Sequence, residues 1–454
     1  MLVAAGNRHV LFLQGPGSMF FYRFALALRR SGITVSKIHL CLGDLVFWGK
    51  HDSTMFRQRF DDWASFIERY IVHNGVSDIV LFSDSRPYHR VAADIAKGLG
   101  VNIFVFENGY FRPDWITFER GGVNGRSSFP RNRAEIERIA AAIPDPGVEA
   151  KSIRFNRHLL LGDWAWHALN FLGAPMFPHF RRHRPAHPLR ELWGATKKVL
   201  RWYPKHLRSK ARFKAVLDSG RAYFFFPLQL DLDFQLAVDS PFASISAATD
   251  AVIASFARHA PADCLLLVKN HPHDSNLVDR ERDTARIARH HGVADRVVFL
   301  ETGTNPQILE RARAVVTINS TMGTSGLWHS LPVCALGRAI YDIEGLTHQG
   351  DLDQFWQAPT QPDMSFFRTF RRALIHATQV RGEFGSGRSG EPTFQECLYR
   401  LVVTPYRTAG LSLAAAGEGS VRDPMANRTF CEVTPNISSP IAPEIRTDPG
   451  RKPA

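Results

Sequence analysis

Long apolar runs are missing from this 454-residue chain. No segment reaches the roughly 18–20 apolar residues that a bilayer-spanning helix needs, so a helical integral membrane protein is not expected. Asn7, Arg8 and His9 break the apolar start, which argues against a signal peptide and for a protein that stays in the cytoplasm. Cysteine is scarce: Cys41, Cys264, Cys334, Cys397 and Cys431 are scattered without a CxxC pair, so neither a disulfide framework nor a zinc site is indicated. The first strand–helix turn carries no GxGxxG, which disfavours a dinucleotide oxidoreductase. Acid is lacking in one place. Between residues 180 and 214 twelve Lys/Arg stand against the single Glu191, and this stretch holds +11 of the net +13. The basicity is local, and a local patch implies a particular anionic partner surface.

What is present is the composition of a soluble globular protein, 44% hydrophobic and 22% charged. The length suggests two domains or one large α/β unit. HVLFLQG reads as a first strand, Gly15–Pro16–Gly17 as a turn, MFFYRFALALRRSG as an amphipathic helix and TVSKIHLC as a second strand, together a βαβ unit. Residues 43–50 are aromatic and read as a loop, and residues 55–74 read as helical. SDIVLFSD is a strand ending in Asp84, Ser85 and Arg86; residues 89–100 form a helix; NIFVFENG is a strand ending in Glu107. Four strands with intervening helices predict a parallel sheet covered on both faces. ENGYFRPDWITFERGGVNGRSSFPR then reads as a long aromatic loop carrying Arg112, Asp114, Glu119, Asn124 and Arg126, and such loops are usually functional or disordered.

A second alternating unit begins at Arg221. AYFFFPLQL is a strand with Gln229 near its end, followed by Asp231 and Asp233. The stretch from residue 264 to 345 organises the whole chain. Lys269, Asn270, His271 and Pro272 follow LLLV, and Asn319, Ser320 and Thr321 follow VVTI. Ligands bind at the carboxyl ends of parallel strands. A helix opening in STMGTSG offers free N–H groups to a phosphate, although Ser320 and Thr321 read equally well as helix caps. The chain therefore divides into an N-terminal Rossmann-like domain (1–150), a helical basic insert (151–220), a C-terminal Rossmann-like domain (221–360), helices crossing back to the first domain (361–405) and a disordered tail (406–454). The fold class is α/β, with two facing Rossmann-like domains in the GT-B-like arrangement.

QGP near the start, SDSRPYHR, ENGYFRPDWITFE, QLDLDFQ, VKNHP and NSTMGTSGLWHSLPVCALGRAIYDIEGLTHQG together resemble capsule polysaccharide biosynthesis proteins of the KpsS/LipB type. The resemblance covers residues 10–401 apart from the basic insert. It implies a retaining β-Kdo transferase that moves Kdo from CMP-Kdo to a phosphatidylglycerol-type lipid at the inner face of the cytoplasmic membrane. Glu107 would be the general acid/base and Asp233 the nucleophile; here Asn108 stands where the family more often has a second acid before the glycine. Gln229, Lys269, His271, Pro272, Asn319, Ser320, Thr321 and Arg338 would form the CMP-sugar site. Gln14, Arg86 and Arg112 would belong to the acceptor side or its loops. A surface or salt-bridged Glu107, a helix-capping Asp233 and a capping His271 are the plain alternatives. Asp231-Leu232-Asp233 spells DxD, but one phosphate needs less metal help than two, so metal-independent transfer without a cofactor is expected.

The basic insert reads as a solvated face on a helix pair, or as a contact with anionic lipid through Arg181, Arg182, Lys197, Lys198 and Arg201. Nucleic acid ranks last, because no nucleic-acid module surrounds the segment. The expected partners are a nucleotide sugar, an anionic lipid acceptor, the inner membrane surface and other capsule assembly proteins. A non-catalytic export or assembly component and a sugar-nucleotide epimerase are the competing functions.

Overall fold

The computed structural model describes residues 8–49, 53–111, 114–144, 165–166, 168–182, 188–230, 239–272, 274, 278–385 and 389–403, with side chains of 188–202 left aside. The predicted site residues Arg112 and Asp233 lie outside the described residues, as does the predicted tail. The side chains of Lys197, Lys198 and Arg201 lie outside them too.

The first lobe is built on β1 (His9–Phe12), β2 (Thr34–His39), β3 (Ser53–Met55), β4 (Asp78–Phe82), β5 (Asn102–Asn108) and β6 (Trp115–Arg120). The second is built on β7 (Tyr223–Pro227), β8 (Leu265–Lys269), β9 (Val297–Leu300), β10 (Ala314–Thr317) and β11 (Val333–Ala335). A last strand, β12 (Gln379–Arg381), returns to the first sheet and pairs antiparallel with β6. The orders are β3-β2-β1-β4-β5-β6-β12 and β9-β8-β7-β10-β11. The core pairings β2-β1-β4-β5 and all of the second sheet are parallel. Each sheet is thus a Rossmann-like layer with its first strand in the middle.

Period-two alternation explains the apolar runs. Val10 and Phe12 pack under the Phe20–Arg30 helix, while Leu11 and Leu13 face Trp63 and Ile67 on the other side. In β7, Tyr223 and Phe225 point to one face and Phe224 and Phe226 to the other. A parallel strand buried on both faces needs no polar side. The Glu391–Val402 helix inserts Phe394 beside Phe20 and Phe24, tying the chain's end to the first lobe.

Four expectations change. Residues 43–50 are not all loop, because Leu42–Val46 is a short helix. Residues 55–74 are helical only from Trp63, preceded by β3 and a 3-10 turn. The long loop after Glu107 contains β6, whose pattern is hidden because Thr117 and Glu119 are buried along with Ile116 and Phe118. Gly109 permits this hairpin, since a Cβ there would stand 2.2 Å from the Trp115 carbonyl oxygen. The insert's predicted helix pair is uneven: its basic part is one 31-residue helix, Pro188–Asp218, and the other described helical stretch is the short run 168–172. The C-terminal half of the long helix lies on β9: Ser209 Oγ accepts from the Glu301 and Thr302 N–H groups, and Arg212 donates to the Phe299 carbonyl.

Candidate active site

In each sheet the chain reverses its direction of growth between the first strand and its neighbour. Crevices open at the carboxyl ends of strands at such switch points. In the first lobe this point lies between β1 and β4, and Arg86 Nη1 donates there to Gln14 Oε1 at 2.9 Å. Gln14 Nε2 also donates to Cys41 Sγ at 3.4 Å. In the second lobe the point lies between β7 and β10. Gln229 Nε2 donates to Asn319 Oδ1 at 2.8 Å, and the Asn319 N–H donates back to Gln229 Oε1 at 3.1 Å. Two strand ends are thereby joined by a pair of hydrogen bonds.

Lys269 ends β8, next to β7. It is 6% exposed, and its ammonium has no hydrogen bond or ion pair among the described residues. Burial pushes its pKa down to about 8, with no neighbouring charge contributing. Buried charges are normally paired, so an unpaired one at a strand end is suited to an anion. Asn270 is buried behind it and accepts the His271 N–H at 2.9 Å; His271 is half-buried and Pro272 exposed. Ser320 Oγ accepts from the Met322 N–H at 3.2 Å, so capping holds for that residue. Thr321 precedes the Met322–Trp328 helix without capping it, and its hydroxyl makes no hydrogen bond among the described residues. Gly323 sits beneath: a Cβ there would stand 2.2 Å from the Tyr341 ring.

Glu107 lies half-buried near the end of β5, its Oε1 accepting from the Asn108 backbone N–H at 3.0 Å and side chain at 3.3 Å. Asp84, at the end of the neighbouring β4, is pushed up to about 6 by burial, opposed by Arg126 and the Val123 N–H and raised further by Glu107 and Asp239. Glu107, Asp84 and Asp239 therefore share one electrostatic neighbourhood. Asp239 belongs to the second lobe, where its carbonyl accepts the N–H of the exposed Arg338 at 2.7 Å.

The lobes meet over the Asn124–Arg126 turn. Asn124 takes a positive φ of 54° and reaches across. Its Nδ2 donates to the Asn319 carbonyl at 3.3 Å, and its Oδ1 accepts the Ile340 N–H at 3.1 Å. Arg131 donates to the Ala339 carbonyl, and Thr324 Oγ1 to the Tyr110 carbonyl at 3.0 Å. Gly125 has no room for a side chain: a Cβ would stand 2.9 Å from Arg338 Cβ and 3.0 Å from Asp239 Cγ. Of the predicted donor residues, Asn319 is the one that these hydrogen bonds join directly to the first lobe, through Asn124. Gln14 and Arg86 form the other wall. Arg181 lies apart, its guanidinium 4.8 Å from the Phe60 ring and its N–H donated to Tyr88 Oη; Arg182 is half-buried beside it.

A family profile described as "Capsule polysaccharide biosynthesis protein" matches residues 77–385. The chain belongs to this family. It is similar to the capsule polysaccharide modification protein LipB of Neisseria meningitidis serogroup A / serotype 4A, 34% identical over 403 residues, 85% of this chain and 93% of LipB. The capsule polysaccharide export protein KpsS of Escherichia coli is 31% identical over 390 residues, covering 85% of this chain and 98% of KpsS. Among solved structures, the Thermosulfurimonas dismutans KpsC beta Kdo 2,7 transferase matches 87% of this chain and 99% of its own, at 13% identity and a TM-score of 0.42. The family's matched segment runs from β4 to β12 and so takes in Asn124 and the second lobe, but not Gln14 or β1–β3. The sequence alone places Asp84 at a strand end and Arg126 in the long loop without giving either a role in the site, and it does not single out Asp239. Among the described residues no helix is long and apolar enough to cross a membrane, and no group of His, Cys, Asp and Glu could hold a metal ion.

Proposed function

We propose that this capsule biosynthesis protein is a retaining β-Kdo transferase that moves Kdo from CMP-Kdo to a phosphatidylglycerol-type lipid, starting the linker of the capsule. The observation that carries the reading is the unpartnered Lys269 ammonium at the end of β8, together with the Thr321 hydroxyl and the Gln229–Asn319 amides that follow β10 and β7. A sugar nucleotide with one phosphate supplies the charge this pocket lacks. Its phosphate is held by Lys269, His271 and Arg338, and transfer proceeds without a metal. Retention follows from two displacements. In the first, an Asp233 carboxylate oxygen bonds to the anomeric carbon while the bond to the phosphate oxygen breaks, its electron pair leaving with CMP. In the second, the acceptor hydroxyl attacks that carbon, the bond to Asp233 breaks, and the hydroxyl proton passes to Glu107. The lipid acceptor puts the protein on the inner face of the cytoplasmic membrane, among other capsule assembly proteins.

The test is incubation of the purified protein with CMP-Kdo and a lysophosphatidylglycerol analogue. Kdo-lipid product is expected. Asp233→Ala should abolish it with the fold intact, and His271→Ala should raise the donor KM. An intact donor and no product would favour the export or assembly role that the KpsS description names. Donor consumed without lipid would favour an epimerase.

A further inference from the structure

Arg126 occupies a position that neither displacement uses. Its Nη2 is 2.7 Å from Asp84 Oδ1 in the first lobe. Its Nε stands 3.9 Å from Asp239 Oδ2 in the second. Both carboxylates are nearly inaccessible to solvent, with side chains 5% and 1% exposed. Asp239 Oδ2 and Arg126 Nε make no hydrogen bond among the described residues, and Arg338, Arg90 and Arg131 also act on the Asp239 carboxylate, more weakly than Arg126. Removing one member of a buried charge pair leaves the other uncompensated, which is strongly destabilising locally. The pairing is therefore demanding in geometry, and it spans the cleft floor where Gly125 already allows the closest backbone approach.

We propose that Arg126 is a positioning residue: its guanidinium pins the Asp84 strand end, beside the candidate acid/base Glu107, to the Asp239–Arg338 turn of the donor lobe, and so fixes the distance between the two halves of the site. The catalytic part of this claim rests on the transferase reading; the pin itself does not. The guanidinium suits the task because a planar fork holds two carboxylates at fixed angles, whereas an ammonium is a point charge. Asn124, two residues earlier, supplies the neutral half of the same joint through Asn319 and Ile340. Of the phosphate-binding set, Arg338 lies in the turn that the pin holds, its N–H donated to the Asp239 carbonyl. Loss of the pin acts chiefly by misplacing the reacting groups, and a misplacement of about 1 Å can lower a rate on the order of 100-fold.

The experiment compares wild type with Arg126→Ala, Arg126→Lys, Asp239→Asn and, as a control remote from the cleft, Arg212→Ala. Transfer from CMP-Kdo gives kcat and KM, and amide hydrogen exchange reports the Val123 and Ile340 N–H groups in the unliganded protein. Arg126→Ala should lower kcat about 100-fold, a larger effect than on the donor KM, and should speed exchange at both amides. Arg126→Lys should recover part of kcat. Asp239→Asn, which keeps the shape, should repeat the loss if the alanine variant does not fold, and Arg212→Ala should change neither readout. A raised KM with unchanged kcat, or unchanged exchange in Arg126→Ala and Asp239→Asn, would overturn the inference. Wild type that transfers nothing yet shows the exchange response would sink the transferase reading, and with it the catalytic role, while sustaining the pin.

Discussion

Replacing Lys269 by methionine should make the unliganded protein more stable and the liganded one weaker. Burial holds the Lys269 pKa near 8, against an ordinary value of 10.5. At about 1.36 kcal/mol per unit, the ammonium carries a penalty of roughly 3 kcal/mol. The sign follows from proton counts. Between pH 8 and 10.5 the unfolded chain binds more protons than the folded one, so stability rises with pH across that window; below pH 8 the whole penalty is in force. Lys269→Met removes it while conserving the apolar stem. Urea unfolding at pH 7 should show a gain of up to about 3 kcal/mol, and the gain should vanish near pH 10.5. Binding of CMP should move the opposite way. A charged hydrogen bond is lost, on the order of 1.5–3 kcal/mol, which is a drop in affinity of roughly 10- to 150-fold. A phosphate beside Lys269 also restores its pKa, so CMP binding at pH 8 should take up about half a proton. Calorimetry in two buffers of different ionisation enthalpy measures that uptake. A destabilised variant, or equal CMP affinity and equal proton uptake in variant and wild type, would refute the assignment of Lys269 as an anion site kept ready.

Three further outcomes can be checked. Gly125→Ala should cost about 1–3 kcal/mol by overpacking, seen as a lower unfolding midpoint, because its Cβ meets Arg338 and Asp239 across the lobes; an unchanged midpoint would mean the lobes part freely. Glu119 is pushed up to about 8 by burial, against the hydrogen bonds from Ser127 and Tyr110. Its folded value lies above the unfolded one, so the stability it contributes is full below about pH 4.5 and is lost as pH rises to about 8. Glu119→Gln should remove that loss, flattening the decline of the thermal midpoint between pH 5 and 8. Neutralising Arg181, Arg182, Lys197, Lys198 and Arg201 should weaken binding to anionic vesicles by about 1 kcal/mol per residue, less at high salt. Lys205, Arg212 and Lys214 are already paired with Glu301, Glu281 and Asp218, and changing those three should matter much less in a vesicle sedimentation assay.

What the sequence displays about this molecule depends on where each chemistry is anchored. Strands buried on both faces announce themselves as unbroken apolar runs, as HVLF and YFFFP do. Their last residues then locate a crevice, because parallel strands all end on the same side. Lys269 and Asn319 draw notice because they follow or end such strands, whereas Gln14, Arg86 and Gln229 take their expected site roles from the family resemblance. β6 was not legible, since Glu119 is a buried acid whose carboxyl is satisfied by Tyr110 and Ser127, partners that no local pattern reveals. Asp239 and Arg126 were illegible for a related reason: they sit outside the strands and acquire meaning only when the two lobes close on each other. The lobes themselves are specified by sheet cores; their junction combines a shared apolar cluster, in which Tyr110 and Phe129 join Phe225 and Leu267, with the loop side chains Asn124, Arg126 and Arg131. A substitution in that turn can therefore alter the cleft while leaving both sheets intact. Losses of turnover without loss of fold should accordingly concentrate there as well as at the strand ends.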